Sequence, residues 1–150
     1  MYRDILLPTD DSPGVTDAIE HSIDIAKQYD GTLHVLYVVD EETYSSYSGD
    51  EYVHEFEGLE HALVEAGEEA MEAIAERARD EGVDVETVMR HGVPHEEILA
   101  YADEADVDLT VVGSKHRPGE YRRLLGSVAE RVARMSERPV SIVKTEVSED

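Results

Sequence analysis

The sequence predicts an α/β fold with one open, parallel five-stranded sheet, strand order 3-2-1-4-5, and helices on both faces. Two observations predict it. Short apolar runs alternate with amphipathic segments of helical spacing, the pattern of strand–helix–strand units with right-handed crossovers. Three of the runs are continuously apolar, as central strands are, whereas the third and fifth runs alternate, as edge strands do. The 150 residues fit a single domain spanning residues 1–150.

The first half of the chain predicts two strands around one helix. The first strand is Asp4–Thr9, and Ser12 and Pro13 then provide the N-cap and first residue of a helix. We expect Gly31 to end that helix. Its apolar residues recur at helical spacing: Val15, Ala18, Ile19, Ile23 and Ala26. The second strand is Thr32–Val39.

The middle of the chain predicts a connection, a long helix and an edge strand. Residues 41–58 are polar and rich in tyrosine, which favours a flexible connection. A long amphipathic helix follows from Leu59 and ends before Gly82. The third strand, Val83–Arg90, begins by alternating apolar with acidic residues.

The last third of the chain predicts two more helix–strand units. Pro94 opens a helix, and Asp108–Gly113 is the fourth strand. The last helix carries an apolar face and leads into the fifth strand, Pro139–Lys144. That face consists of Leu125, Val128, Ala129, Val132 and Met135. Residues 146–150 form an acidic tail.

The net charge of −23 is the unusual feature of the composition. Thirty-six acidic residues are spread along the chain against thirteen basic ones, which disfavours nucleic acid and anionic membrane as partners. We interpret the excess as salt adaptation of a halophilic protein; an ordinary acidic protein is the alternative. No signal peptide, run of about 18 apolar residues or cysteine is present, so we expect a soluble cytoplasmic protein.

The basic residues concentrate where the predicted topology places a ligand site. Between Gly113 and Arg138, seven basic residues stand against three acidic ones, a net charge of +4. In the predicted strand order the connections reverse direction between strands one and four, and ligands of such sheets bind at the carboxyl ends of the strands beside that switch. The loops there are Thr9–Pro13 and Gly113–Ser127.

The residues of these two loops suit an anion, although each has a purely structural interpretation. Gly126 and Ser127 open a helix whose free amide groups and partial positive charge favour phosphate, and Gly113 lets a phosphate approach the backbone. Alternatively, Gly113 is a turn residue and Ser127 an N-cap. Asp10 can bind a sugar hydroxyl or base edge across the crevice, or it can hold the turn together with Asp11.

Other site types lack their sequence signatures. The Walker A pattern, the G-x-G-x-x-G pattern and the G-x-S-x-G elbow are missing. One cluster of histidines and carboxylates suggests a metal site. One of its histidines ends a strand and the other starts a helix, so the two do not lie on one face of a zinc-binding helix. We therefore expect no metal there and expect its carboxylates to complement the helix N-terminus. The cluster comprises His91, His95, Glu96 and Glu97; the remaining histidines show no partner pattern.

Several segments, in order along nearly the whole chain, resemble the universal stress protein family. The strongest is Gly113–Val132, which carries the family's signature loop and helix. The others are Ile5–Asp10, Val35–Asp40, Gly92–Ile98 and Arg138–Val143. The resemblance implies a Rossmann-like sheet that binds adenine nucleotides, and a homodimer in which the last strands of two subunits pair antiparallel. We expect Val140, Ile142 and Val143 to lie in that dimer strand.

The ATP-binding branch of this family carries G-x2-G-x9-G-[ST] after the fourth strand. Gly113, Gly126 and Ser127 fill three of these places, and His116 stands where the second glycine belongs. The resemblance implies a site for ATP, AMP or ADP, with Mg²⁺ as a possible companion. The implied contacts are Pro8, Thr9, Asp10, Val38, Val112, Gly113, His116, Gly126, Ser127 and Val128. Lys115 and Arg117 are the neighbouring cations.

The replacement of glycine by His116 leaves two functions open. A side chain obstructs this position if the site needs a positive φ or close phosphate approach, and the protein is then a dimeric interaction protein that does not bind nucleotide. Alternatively, His116 supplies charge to a phosphate together with Lys115 and Arg117. An enzyme is the third class, but no general base, metal cluster or nucleophile is evident, so slow ATP hydrolysis is the most that we expect. The sequence names no protein partner.

Overall fold

Five parallel strands and four helices alternate along the chain in a computed structural model that describes residues 1–9, 16–40, 53–116 and 127–146. The strands are β1 (Asp4–Thr9), β2 (Thr32–Asp40), β3 (Asp84–Gly92), β4 (Leu109–His116) and β5 (Val140–Glu146). The helices are α1 (Thr16–Tyr29), α2 (Val53–Asp80), α3 (Pro94–Glu104) and α4 (Ser127–Met135). The strand order is β3-β2-β1-β4-β5, so the predicted order and the two predicted edges are confirmed.

Each face of the sheet is covered by one pair of helices, because successive side chains of a strand point to opposite faces. On one face, Ile5, Leu7 and Val35 pack with buried residues of α1 and α2. On the other face, Leu6 and Leu36 pack with buried residues of α3 and α4. The prediction of helices on both faces is therefore confirmed.

The two edge strands differ in what they expose. The exposed side chains of β3 are polar or charged: Asp84, Glu86, Thr87 and His91. β5 exposes the apolar side chain of Ile142, which is 36% accessible. The two edges of the sheet therefore present different chemistry to solvent.

Several element boundaries differ from the predicted ones. The second helix begins at Val53, so residues 53–58, which were predicted as connection, are helical, and residues 41–52 lie outside the described part of the chain. The fourth strand runs on past Gly113 to His116, because it keeps pairing with β5 up to Glu146. The residue with left-handed backbone at the end of α1 is Asp30, at φ 53°, rather than Gly31.

No helix in the described ranges is both long and apolar enough to cross a membrane.

Candidate functional site

At its carboxyl end β1 stops short of both neighbouring strands, and we call the position between them the crevice. Thr9, the last residue of β1, pairs with Tyr37, so β2 continues for three residues past it, to Asp40. The ladder between β1 and β4 covers Ile5 with Leu109 and Leu6 with Thr110, and β4 then runs on to His116. Both neighbours of β1 thus project beyond its end. This is the switch point that the sequence predicted, since connections leave β1 and β4 in opposite directions.

Three of the predicted contact residues share one apolar cluster of the core. Val112, which is buried, belongs to the apolar cluster on the face covered by α3 and α4. The half-buried side chains of Val38 and Val128 pack against the same cluster. Residues from β2, β4 and the first turn of α4 are therefore brought together. Such an apolar surface suits the flat face of a nucleotide base.

β1 brings Pro8 and Thr9 to this end of the sheet. Pro8 is half-buried and Thr9 is buried, at 8% accessibility. Asp10 and Asp11 lie outside the described residues. The structure therefore locates the end of β1 at the crevice without testing the predicted role of either carboxylate.

The predicted phosphate-binding segment is described at its two ends. Gly113 is half-buried within β4 and pairs with Val143, so it lies three residues before the end of the strand instead of directly after it. Ser127 is the exposed first residue of α4. Arg117 and Gly126 lie outside the described residues, as does the side chain of Lys115.

A histidine at this position could interfere with nucleotide binding through its backbone conformation or through its side chain. The backbone of His116 removes the first of these two reasons. His116 is a strand residue of β4, in register with Glu146. Extended backbone is open to any residue, so the conformation of the chain does not require glycine here. The side chain of His116 lies outside the described part of the chain, and the second objection, obstruction of a phosphate, stays open.

The crevice contains two polar residues that the sequence analysis did not select. Asp40 closes β2 and is half-buried, and Ser114 follows Gly113 with 2% accessibility. Asp40 has the same sequence signal as Asp10, an acidic residue directly after a buried strand. Ser114 gave no such signal, because its burial depends on the continuation of β4 beside β5.

The structure does not bring the residues of the suggested metal cluster together. His91 Nε2 lies 3.5 Å from Glu60 Oε1 on α2. Glu96 and Glu97 lie in the first turn of α3, where they complement the helix N-terminus as predicted. Among the residues that the structure describes, no three His, Asp or Glu side chains form a group that could hold a metal ion.

The residues of the predicted dimer strand lie along the edge of the sheet. Val143 is half-buried and packs on the face covered by α1 and α2, whereas Val140 packs on the opposite face. Ile142 is exposed, as noted above. An apolar side chain on an exposed edge strand is a surface that proteins usually cover.

Comparison with known proteins gives a consistent result over nearly the whole chain. The sequence model described as the universal stress protein family matches residues 1–144. A universal stress protein of Methanocaldococcus jannaschii is 38% identical over 144 residues, which cover 96% of this chain and 83% of that protein. The solved structure of a second protein from the same organism superposes with a TM-score of 0.80 at 33% identity and covers 99% of both chains.

One solved structure bears on ligands. A universal stress protein in complex with cAMP superposes with a TM-score of 0.64 at 25% identity, covering 95% of this chain and 97% of its own. The ligand in that structure is an adenine nucleotide.

Proposed function

The chain belongs to the universal stress protein family, and from that premise we propose that it is a dimeric stress-response protein that binds ATP or a related adenine nucleotide in the crevice between β1 and β4. The observation that supports this proposal most is the register of the sheet. β2 and β4 both project beyond the end of β1, and α4 begins beside them. A parallel sheet binds its ligand at such a position.

The residues of the crevice divide into an apolar part and a polar part that fit the two halves of a nucleotide. Val38, Val112 and Val128 supply the apolar surface for the base. Thr9 and Asp10 supply polar groups for the sugar and the base edge. The phosphates would lie at the segment that joins β4 to α4.

That connecting segment supplies what an anion needs. Gly113 and Gly126 allow close approach to the backbone, and Ser127 adds a hydroxyl at the start of α4. Lys115 and Arg117 bring positive charge in a chain of net charge −23. When bound, Mg²⁺ would neutralise part of the phosphate charge.

We expect micromolar binding of Mg-ATP in calorimetric titration of the protein in molar KCl. Gly126→Val should abolish the binding heat, because a branched side chain would occupy the path of the phosphates. Gly58→Val is the matched control, since a Cβ at Gly58 would meet no atom within 4 Å among the described residues beyond its neighbours in the helix. The control should bind like the parent. Unchanged binding by Gly126→Val would locate the nucleotide elsewhere.

The second candidate is a family member that forms the same dimer and binds no nucleotide. His116, which replaces a glycine of the ATP-binding signature, favours it. The same titration distinguishes the two candidate functions. If the side chain of His116 only obstructs the site, the parent gives no binding heat and His116→Gly gains binding. If His116 contacts phosphate, His116→Gly weakens the binding of the parent. Mass spectrometry of nucleotide released from heat-denatured protein provides an independent readout.

We further propose that the acidic surface adapts the protein to high salt, and that the homodimer forms through β5. The first proposal is supported by the charge of −23, and the second by the exposed Ile142 on an edge strand. Both are tested in the predictions below.

A further inference from the structure

A buried histidine joins three elements at the end of the sheet opposite the crevice. His34 lies near the start of β2, on the face covered by α3, and is 6% accessible. Its Nδ1 lies 2.7 Å from the hydroxyl of Tyr101 on α3, and its Nε2 lies 2.8 Å from Asp4 Oδ1 on β1. Both ring nitrogens of His34 therefore have a hydrogen-bond partner.

The chemistry of the two partners fixes the direction of these bonds in the neutral ring. An ionised carboxylate only accepts, so Nε2 carries the hydrogen that is donated to Asp4. Nδ1 is then free of hydrogen and accepts from the hydroxyl of Tyr101. Burial raises the pKa of Tyr101, with a further contribution from the charge of Glu86, so the phenol keeps its proton through neutral pH.

A second proton on His34 would reverse one of these bonds. Nδ1 would become a donor to the oxygen of Tyr101, and the phenol would have to turn its own hydrogen to another acceptor. Glu86 on β3 is within reach, because its Oε2 lies 3.6 Å from Nδ1. Its side chain is 65% accessible, so it is able to move.

Charged side chains surround the pair. They come from β1, β3, α3 and the turn before β4: Asp4, Glu86, Arg90, Glu104 and Asp108. The one cation among them, Arg90, lies 5.2 Å from the centre of the Tyr101 ring and is paired with Glu104. The carboxylates of Asp4 and Glu86 flank the histidine ring directly, one beside each nitrogen.

We propose that His34 and Tyr101 form a proton-operated latch between β2 and α3, in which one proton taken from solvent reverses their hydrogen bond and draws Glu86 onto the pair. In the neutral state two hydrogen bonds connect β1, β2 and α3. In the charged state Glu86 adds β3 to the same group. Uptake of the proton therefore adds a contact that attaches α3 to the sheet.

Nitrogen NMR of the full-length protein in molar KCl tests the latch directly. At pH 8 we expect His34 to carry its hydrogen on Nε2 and to gain a second one on Nδ1 as the pH falls. Glu86→Gln should lower the pH of this step by about half a unit or more, because it removes a nearby negative charge. Tyr101→Phe removes the hydrogen bond to Nδ1 in both states, so the protonation of His34 should no longer change the amide-exchange protection of α3.

The control is Glu69→Gln, which removes an exposed carboxylate of α2 and should leave the step unchanged. Amide exchange gives a second readout, since protection of α3 should increase several-fold on acidification in the parent and not in Glu86→Gln. A neutral ring with its hydrogen on Nδ1 would overturn the latch. So would a step that is insensitive to Glu86→Gln, which changes an exposed residue and preserves the fold.

Discussion

At the scale of single residues, Gly67 is the described glycine at which an added Cβ would make the shortest contact. A Cβ added there would lie 2.5 Å from Cδ1 of Tyr37 and 2.8 Å from Cε of Met89. Real Cβ atoms do not approach carbon atoms that closely, and the ring of Tyr37 is buried in β2. Gly67 therefore allows the middle of α2 to lie directly on the sheet.

We expect Gly67→Ala to lower the free energy of unfolding by about 1–3 kcal/mol, because overpacking outweighs the gain in helix propensity. Gly58→Ala is the control, since Gly58 lies in the same helix and a Cβ there would contact no described residue within 4 Å outside its helical neighbours. That variant should gain up to about 1 kcal/mol. Thermal unfolding in molar KCl measures both. Equal effects at the two glycines would contradict the packing argument.

The residue scale also shows what sequence patterns do not reveal. His34 and Tyr101 are 67 positions apart, and nothing local to either indicates a partner. A histidine inside an apolar strand is compatible with several environments until the position of α3 is known. The pairing therefore required the tertiary structure. The positions of Thr9 and Gly113 beside the switch point, in contrast, could be predicted from the strand order alone. Val38 was implied by the resemblance to the family.

At the scale of elements, the strand order was predictable, whereas two boundaries were not. Gly58 lies inside α2, and a glycine among polar residues usually indicates a break in a helix. The extension of β4 to His116 depends on hydrogen bonds with β5, which polar residues such as Ser114 do not signal. Local patterns thus define the elements, and pairing with neighbours decides where they end.

The dimer belongs to this scale because it depends on one strand. We expect light scattering in molar salt to give twice the 16.7 kDa of the chain. Ile142→Pro should yield a monomer or aggregate, because proline removes a backbone donor from the strand. Ile142→Val preserves both the donor and the apolar side chain and should remain dimeric. A parent that is monomeric at micromolar concentration would show that this edge is protected in another way.

At the scale of the whole molecule, charge is the dominant property. Several of the described surface cations pair with carboxylates, as in Arg77–Glu20 and Lys27–Glu81. Thirty-six acidic residues against thirteen basic ones nevertheless leave most carboxylates without a cation. Their mutual repulsion destabilises the folded state wherever salt does not screen it.

We expect the melting temperature to rise by about 10 °C or more between dilute buffer and molar KCl, since relief of a few kcal/mol of repulsion shifts a domain of this size by that amount. Replacing the exposed Glu68, Glu69 and Glu76 of α2 with glutamine should raise the melting temperature in dilute buffer and change it little in molar KCl. A melting temperature that is independent of salt in the parent would refute the proposed salt adaptation.

The inequality of the two sheet edges sets a limit on assembly. A parallel sheet with two similar apolar edges would let copies add on both sides and grow into fibrils. Here a copy that approached β3 would meet Asp84 and Glu86 on a molecule that already carries excess negative charge. Pairing through β5 about a twofold axis covers the apolar edge of each subunit. We therefore expect polymerisation along the sheet to stop at the first contact, even at the high protein concentrations of a crowded cell.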